Sequence, residues 1–386
     1  MKIFTYENAK ITIFCTTLAA LFFSAVLHKP AEFSETENRY LEQRPKLTRA
    51  NLLDGSFMKD YETFITDQFP ERSFFMGVKT AIERFRGRTD DNGVYFGKEG
   101  YLFGKYDGAL FESETAKNNL STIVEFVKMY ADRFGKGHFR IALAPSSSEI
   151  LKDKLPANAP VYNQTKFISK VKNEAGSDFV VDLGENLKEH SDEYIYYRTD
   201  HHWTTLGAYY GYEALSSGFG LKVQDLAGLK AEDVSNDFLG TYDSKVNTGL
   251  TGGVIPDNIT IYSSPEIDKA KMMWDNDNDK TFNSIYNMDA LKGKDKYTVF
   301  FGGNHSITDI KTKNKTGKTL LIIKDSFAHS LAPFLIKDYD RIIMLDLRYF
   351  NKSLKKYLSE NKITDLLVLY STPDFAEDAN IGRLLR

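Results

Sequence analysis

Five short apolar runs restrict the folds open to this chain: HFRIALA (His138–Ala144), FVVDL (Phe179–Leu183), TLLII (Thr319–Ile323), RIIML (Arg341–Leu345) and LLVLY (Leu366–Tyr370). Each is too short for a helix, and most are rich in aliphatic residues, as buried strands are. Helical patterns lie among them: Asn118–Phe134, Lys166–Gly176, Ser326–Leu335 and Leu354–Glu360. A strand–helix–strand rhythm marks a parallel sheet. The sequence therefore predicts an α/β fold. At 386 residues and 42% hydrophobic, the chain suits one large α/β domain with extras, or two domains.

The boundaries follow from changes in pattern. Ile11–Leu27 holds 17 uncharged residues behind Lys2 and Lys10. A bilayer core takes about 20 apolar residues, with about 17 as the lower limit. We expect residues 1–28 to be a signal anchor or signal peptide, in preference to a buried soluble helix. The rest of the chain is then expected outside the cytoplasmic membrane, tethered by a single N-terminal anchor or secreted. Residues 29–110 read as a linker, then helices from Leu52 to about Arg86 broken at Pro70, then a hairpin from Asp90 to Phe103. Residues 111–386 are expected to form the catalytic domain, with an irregular β-rich insertion at about 219–300.

Composition excludes some functions. Net charge is −3, from 50 basic and 53 acidic residues, so nothing suggests nucleic-acid binding. Cys15 is the only cysteine, which rules out an intrachain disulfide and a zinc cluster built on thiolates.

Two stretches carry chemistry. YYRTDHHWTTLGAYYGYEA (Tyr196–Ala214) groups Asp200, His201 and His202 ahead of a helix that Thr204 or Thr205 caps. A carboxylate beside an imidazole fixes its tautomer, so that His202 can take a proton from a hydroxyl. The same residues also read as a structural histidine beside a cap, or as metal ligands. Neighbouring side chains rarely converge on one ion, and no further ligand motif stands at metal spacing. Far downstream, Ser326 follows an apolar strand, where its hydroxyl is exposed and nearby N–H groups can serve an oxyanion. Capping by Asp325 or Ser326 is the plainer reading. His329 is a rival base. In FFGGNHS (Phe300–Ser306), the Asn304 amide can donate to an oxyanion, or the segment is merely a turn. Ser146–Ser148, at another strand end, are open to a place in the same cleft.

Together, TDHHWTTLGA, GGNHS and KDSFAHSLAPF resemble the DHHW protein family, itself similar to the alginate O-acetyltransferases AlgJ and AlgX among SGNH-hydrolase-like proteins. ENR (Glu37–Arg39), DQFPER (Asp67–Arg72), GVYFGKEGYLF and LDLRYF (Leu345–Phe350) add support. The resemblance implies a flavodoxin-like three-layer α/β/α domain with a permuted triad order. Asp200 is then the orienting acid, His202 the base and Ser326 the nucleophile. Asn304, Tyr349 and Arg348 become oxyanion or pocket candidates. No cofactor and no metal are implied. The expected function is extracytoplasmic O-acetyl transfer to a polysaccharide or glycan, or acetylester hydrolysis, with a membrane-bound O-acyltransferase as acetyl donor. The alternative is a non-catalytic glycan-binding surface protein that retains the fold.

Overall fold

A computed structural model describes residues 6–34, 36–250, 252–275 and 280–386. The chain divides into two units, residues 1–88 with 244–252, and residues 89–243 with 253–386. The hairpin expected before residue 110 therefore belongs to the second unit.

In the first unit, α1 (Tyr6–Leu27) has 22 residues, mean hydropathy 1.9 in its most apolar window, and no buried residue. It is long and apolar enough to cross a membrane, as a signal sequence also is. Two longer helices follow, α2 (Ser56–Asp67) and α3 (Arg72–Phe85), with the break at Pro70 where the sequence predicts it. The ENR and DQFPER motifs meet here. Arg39 grips Asp67 with two hydrogen bonds of 2.8 and 2.6 Å, and Arg72 donates to Glu37 at 2.8 Å. Arg39 thereby holds the Asp67 carboxyl below the usual carboxylate range, against a smaller cost of burial. Gln68 adds hydrogen bonds to both backbone groups of Ala31.

The second unit is built on an eight-stranded sheet. A three-stranded antiparallel meander precedes it, β1 (Asp90–Asp91), β2 (Val94–Phe96) and β3 (Leu102–Gly104). Next come α4 (Glu114–Phe134), β4 (Phe139–Ala144), α5 (Gln164–Ala175), β5 (Val180–Val181) and α6 (Thr205–Phe219). Among the described residues, strands β6 (Lys230–Phe238) and β7 (Asp257–Ser263) pair only with each other. Then follow β8 (Lys271–Trp274), β9 (Thr281–Phe282), β10 (Ile307–Lys311), β11 (Thr319–Lys324) and α7 (Ala328–Leu335). The chain closes with β12 (Arg341–Leu345), α8 (Leu354–Glu360), β13 (Asp365–Ser371) and α9 (Thr372–Glu377).

The sheet order is β9-β8-β10-β12-β11-β13-β4-β5. The five strands from β12 to β5 are parallel, and the other three extend the sheet antiparallel. These five are the apolar runs of the sequence. Strand β10 (ITDIK) escapes that reading because its alternation is interrupted by Thr308 and Asp309, both buried. The stretch 219–300 is only partly an insertion, since β8 and β9 belong to the main sheet.

Alternation along each strand feeds two cores. Leu320, Ile322, Ile342, Met344, Leu367 and Leu369 join one, with Leu215, Leu331 and Phe334 of α6 and α7. Leu321, Ile323, Ile343, Leu345, Leu366 and Val368 join the other, with Ile123, Phe126, Val171 and Leu358 from α4, α5 and α8. The carboxyl ends of β4, β11, β12 and β13 lie along one edge, where ligands of parallel sheets gather.

Candidate active site

The segment Tyr196–Trp203 is a tight loop. Tyr196 and Trp203 form an isolated antiparallel bridge, and the Tyr197 N–H donates to the His202 carbonyl. Asp200 sits at the tip and accepts from the His202 N–H at 3.1 Å, the local turn that a short acidic side chain favours. That turn brings His202 back over its own acid. Nδ1 of His202 lies 2.5 Å from Oδ1 of Asp200. Thr204 then caps α6 by accepting from the Gly207 N–H. A Cβ on Gly207 would stand 2.1 Å from the Ile195 carbonyl oxygen, so only glycine lets α6 start this close to the loop.

Ser326 is in the turn between β11 and α7. Asp325 pins that turn by accepting from the Phe327 N–H at 2.9 Å and the Ser371 N–H at 2.6 Å. The Phe327 N–H is thus already engaged, and α7 begins only at Ala328, so the first-turn donors expected of a serine at a helix start are not all available. The two stretches are joined by Trp203, fully buried, whose indole N–H donates to the Phe327 carbonyl at 3.1 Å. Across that joint, Nε2 of His202 lies 2.7 Å from Oγ of Ser326. Asp200, His202 and Ser326 form a continuous hydrogen-bonded row.

The acid of the row is buried, and burial by itself would raise its pKa. The neighbouring His201 and His202, with hydrogen bonds from His202 and Thr241, outweigh that and hold it far below the usual carboxylate range. Thr241 donates to Asp200 Oδ2 from its N–H at 2.8 Å and also from its hydroxyl. Gly240 allows this approach, because a Cβ there would meet the Asp200 Cβ at 2.3 Å. His201 turns its Nδ1 to the Thr241 hydroxyl at 2.7 Å. Asp200, His201 and His202 offer donor atoms within 4.8 Å of one another, as a metal site would. Both ring nitrogens of His202, however, are committed to the row.

The other candidates are placed as follows. Oδ1 of Asn304 accepts from the Lys324 ammonium at 2.9 Å, which turns its Nδ2 donors away from Lys324. Arg348 is engaged with Asp346 through contacts of 2.9 and 2.6 Å. Tyr349 is exposed, with its ring beside the Arg348 guanidinium. His329, the rival base, is buried, and its Nε2 is 2.7 Å from the Lys324 ammonium. Burial and that charge push its pKa well below the ordinary histidine value, so it stands as a neutral acceptor. Ser146–Ser148 are buried, with Ser146 bonded to Ser148 and Gln164.

Three groups had no clear signal in the sequence. Tyr297 stacks on the His202 ring at 3.7 Å between centroids and 12° between planes. Its hydroxyl donates to the Ser326 carbonyl and contacts the Ser330 hydroxyl, each at 3.1 Å. It lies in an irregular stretch where no periodicity marks a tyrosine as special. Tyr297→Phe keeps the ring and is expected to cost about 1 kcal/mol, read as a lower midpoint in urea unfolding. Lys324 is buried, with Asp346 at 3.3 Å as its counter-charge; burial lowers its pKa to about 8. Asp374 is half-buried beside Asp325, and loss of water around its carboxyl first, then that neighbour's charge and hydrogen bond, pushes its pKa up to about 7.

The Asp374 shift has a definite sign. A carboxyl whose pKa is raised on folding gives stability that is complete below its unfolded pKa, about 4, and is lost as pH rises through 7. The loss is at most about 4 kcal/mol. Asp374→Asn stays neutral throughout, so its unfolding free energy is expected to decline less between pH 4 and 8. Equal slopes for the variant and the parent would refute this.

With this geometry in place, the comparisons are informative. The family described as DHHW protein matches residues 117–345, more than half of the chain. The chain belongs to the DHHW protein family. A DHHW family protein from Eubacterium siraeum is 26% identical, with a TM-score of 0.63 over 76% of this chain and 95% of that one. PatB1 of Bacillus cereus, solved with a sulfonyl adduct, is 19% identical, with a TM-score of 0.61 over 76% of this chain and all of that one. The O-acetyltransferase domain of Pseudomonas putida AlgJ is 13% identical, with a TM-score of 0.46 over 76% and 98%. No curated protein matches the sequence. For this DHHW protein the two higher-scoring likenesses agree on a mixed α/β fold with a mostly parallel central sheet.

Proposed function

We propose that this chain is an extracytoplasmic O-acetyltransferase, or acetylesterase, of a cell-surface or secreted polysaccharide. The observation that carries the chemistry is the row Asp200–His202–Ser326, with contacts of 2.5 and 2.7 Å. Nδ1–H of His202 donates to Asp200, which leaves Nε2 to accept the Ser326 proton. Oγ of Ser326 attacks the carbonyl carbon of an acetyl donor as its proton passes to Nε2. The leaving group departs with that proton, and acetyl-Ser326 remains. A sugar hydroxyl, or water, then attacks the acetyl carbon and gives its proton to Nε2. The ester bond to Ser326 breaks, and Oγ takes the proton back.

Asn304, with its amide donors turned away from Lys324, is the oxyanion candidate in this reading. Arg348 and Tyr349 are the pocket candidates. The flavodoxin-like, three-layer SGNH arrangement is supported by the parallel strands β12 to β5, the core on each sheet face, and Ser326 at a strand's carboxyl end. The polysaccharide acceptor and a membrane-bound acyl donor rest on the motif resemblance. The location rests on α1, read as a membrane span.

The decisive experiment is mass spectrometry of the protein quenched during turnover of p-nitrophenyl acetate. One acetyl group on the peptide bearing Ser326 is expected, and a sulfonyl fluoride should block it by labelling the same serine. Glycan binding without acetylation or turnover would favour a non-catalytic glycan-binding protein instead.

A further inference from the structure

Helix α3 is turned inside out for a soluble protein. The residues it buries are Gly77 and Thr80. Its inner side meets the 244–252 segment, with Thr80 donating to the Val246 carbonyl and Arg84 to the Gly252 carbonyl. On the opposite side, Phe75, Val78, Ile82 and Phe85 recur at spacings of three and four, one stripe of a helix. Phe85 is 92% exposed, Phe74 52% and Ile82 51%. Lys79 and Arg86 fall along one border of that stripe. Helix α2 adds exposed Met58 and Ile65 and buries only Asp67. An apolar face of this size, left uncovered by the described residues, marks an interaction surface.

The occupant follows from what precedes the unit. Helix α1 ends at Leu27, and His28–Glu32 are the only residues before the strand pair beginning at Phe33. Five residues span at most roughly 18 Å. If α1 crosses a membrane, this unit is held at the bilayer surface. Aromatic residues on an amphipathic helix, bordered by lysine and arginine, are the chemistry of helices that lie in a lipid interface.

We propose that α3 rests on the bilayer, with Phe75, Ile82 and Phe85 in the acyl boundary and Lys79 and Arg86 at anionic headgroups. The inference depends on α1 being a membrane span, so the test reads the two separately. Single variants Phe22→Trp in α1, and Phe85→Trp and Ile82→Trp in α3, are made in the full chain. Each is reconstituted into vesicles of phosphatidylcholine and phosphatidylglycerol, with and without brominated phosphatidylcholine. The two native tryptophans, Trp203 and Trp274, are buried, and the parent protein gives their background.

Quenching of all three variants, with blue-shifted emission at Phe85→Trp, is expected. Quenching of Phe22→Trp alone overturns the α3 proposal and leaves the anchor standing. If none is quenched, the anchor reading fails and the proposal falls with it. A dimer by light scattering, with Phe85→Trp insensitive to brominated lipid, assigns the face to a second copy and also overturns it. Phe85 is so exposed that tryptophan there disturbs no packing, and Ile82→Trp repeats the measurement one turn away.

Discussion

Ser326→Ala is expected to lower turnover of p-nitrophenyl acetate by about 10⁴-fold or more, with no acetyl-enzyme formed. In the proposed mechanism the hydroxyl forms the bond to the acetyl group, and nothing else in the row can replace it. Stability should hardly change, because Ser326 is partly exposed and its hydroxyl leaves only one His202 nitrogen to find water. His202→Ala is expected to cost a similar factor, and the double variant no more than either single one. Residues of a catalytic row act as a unit, so their losses do not add. Additive losses, or full activity in Ser326→Ala, would sink the mechanism.

Asp200→Asn is the second large effect, and here rate and stability both move. The carboxylate receives the His202 N–H, His202 Nδ1, the Thr241 N–H and the Thr241 hydroxyl. An amide has one acceptor oxygen, so its NH₂ must face a donor. Facing His202, it donates to Nδ1 and drives the proton to Nε2, which then cannot accept from Ser326. A fall of about 10⁴-fold in kcat is expected for that tautomer error. Facing Thr241, it leaves buried donors opposed, at a cost of about 2–3 kcal/mol.

The pH dependence distinguishes this acid from Asp374. The Asp200 pKa is depressed on folding, so its contribution is present above about pH 4 and is lost as pH falls further. Asp200→Asn should therefore flatten the acid limb of the stability profile, and Asp374→Asn the limb between pH 4 and 8. Urea unfolding across pH 3–8 separates the two.

Much of the site was legible because its parts are local. Asp200 and His202 stand two residues apart, and the side-chain turn at Asp200 makes that spacing a contact without help from distant chain. Ser326 announced itself by following the four apolar residues Leu320–Ile323 and the pair Lys324–Asp325, where a buried strand runs out into polar chain. The rival roles needed burial to resolve. His329 was a rival base without an obvious carboxylate partner, and it is enclosed against a buried ammonium. Asp325, a possible cap, instead ties β11 to the end of β13. Tyr297, Lys324 and Asp374 carried no pattern at all, because what distinguishes them is which side chains the fold sets beside them.

The sequence by itself determined the five parallel strands, the pairing of Asp200 with His202 and the serine at a strand end, since each depends on residues a few positions apart. The meeting of His202 with Ser326, 124 positions away, was decided by tertiary structure. It depends on strand order, on α6 packing against α7, and on one indole N–H reaching the Phe327 carbonyl. Those are long-range choices that no local periodicity encodes.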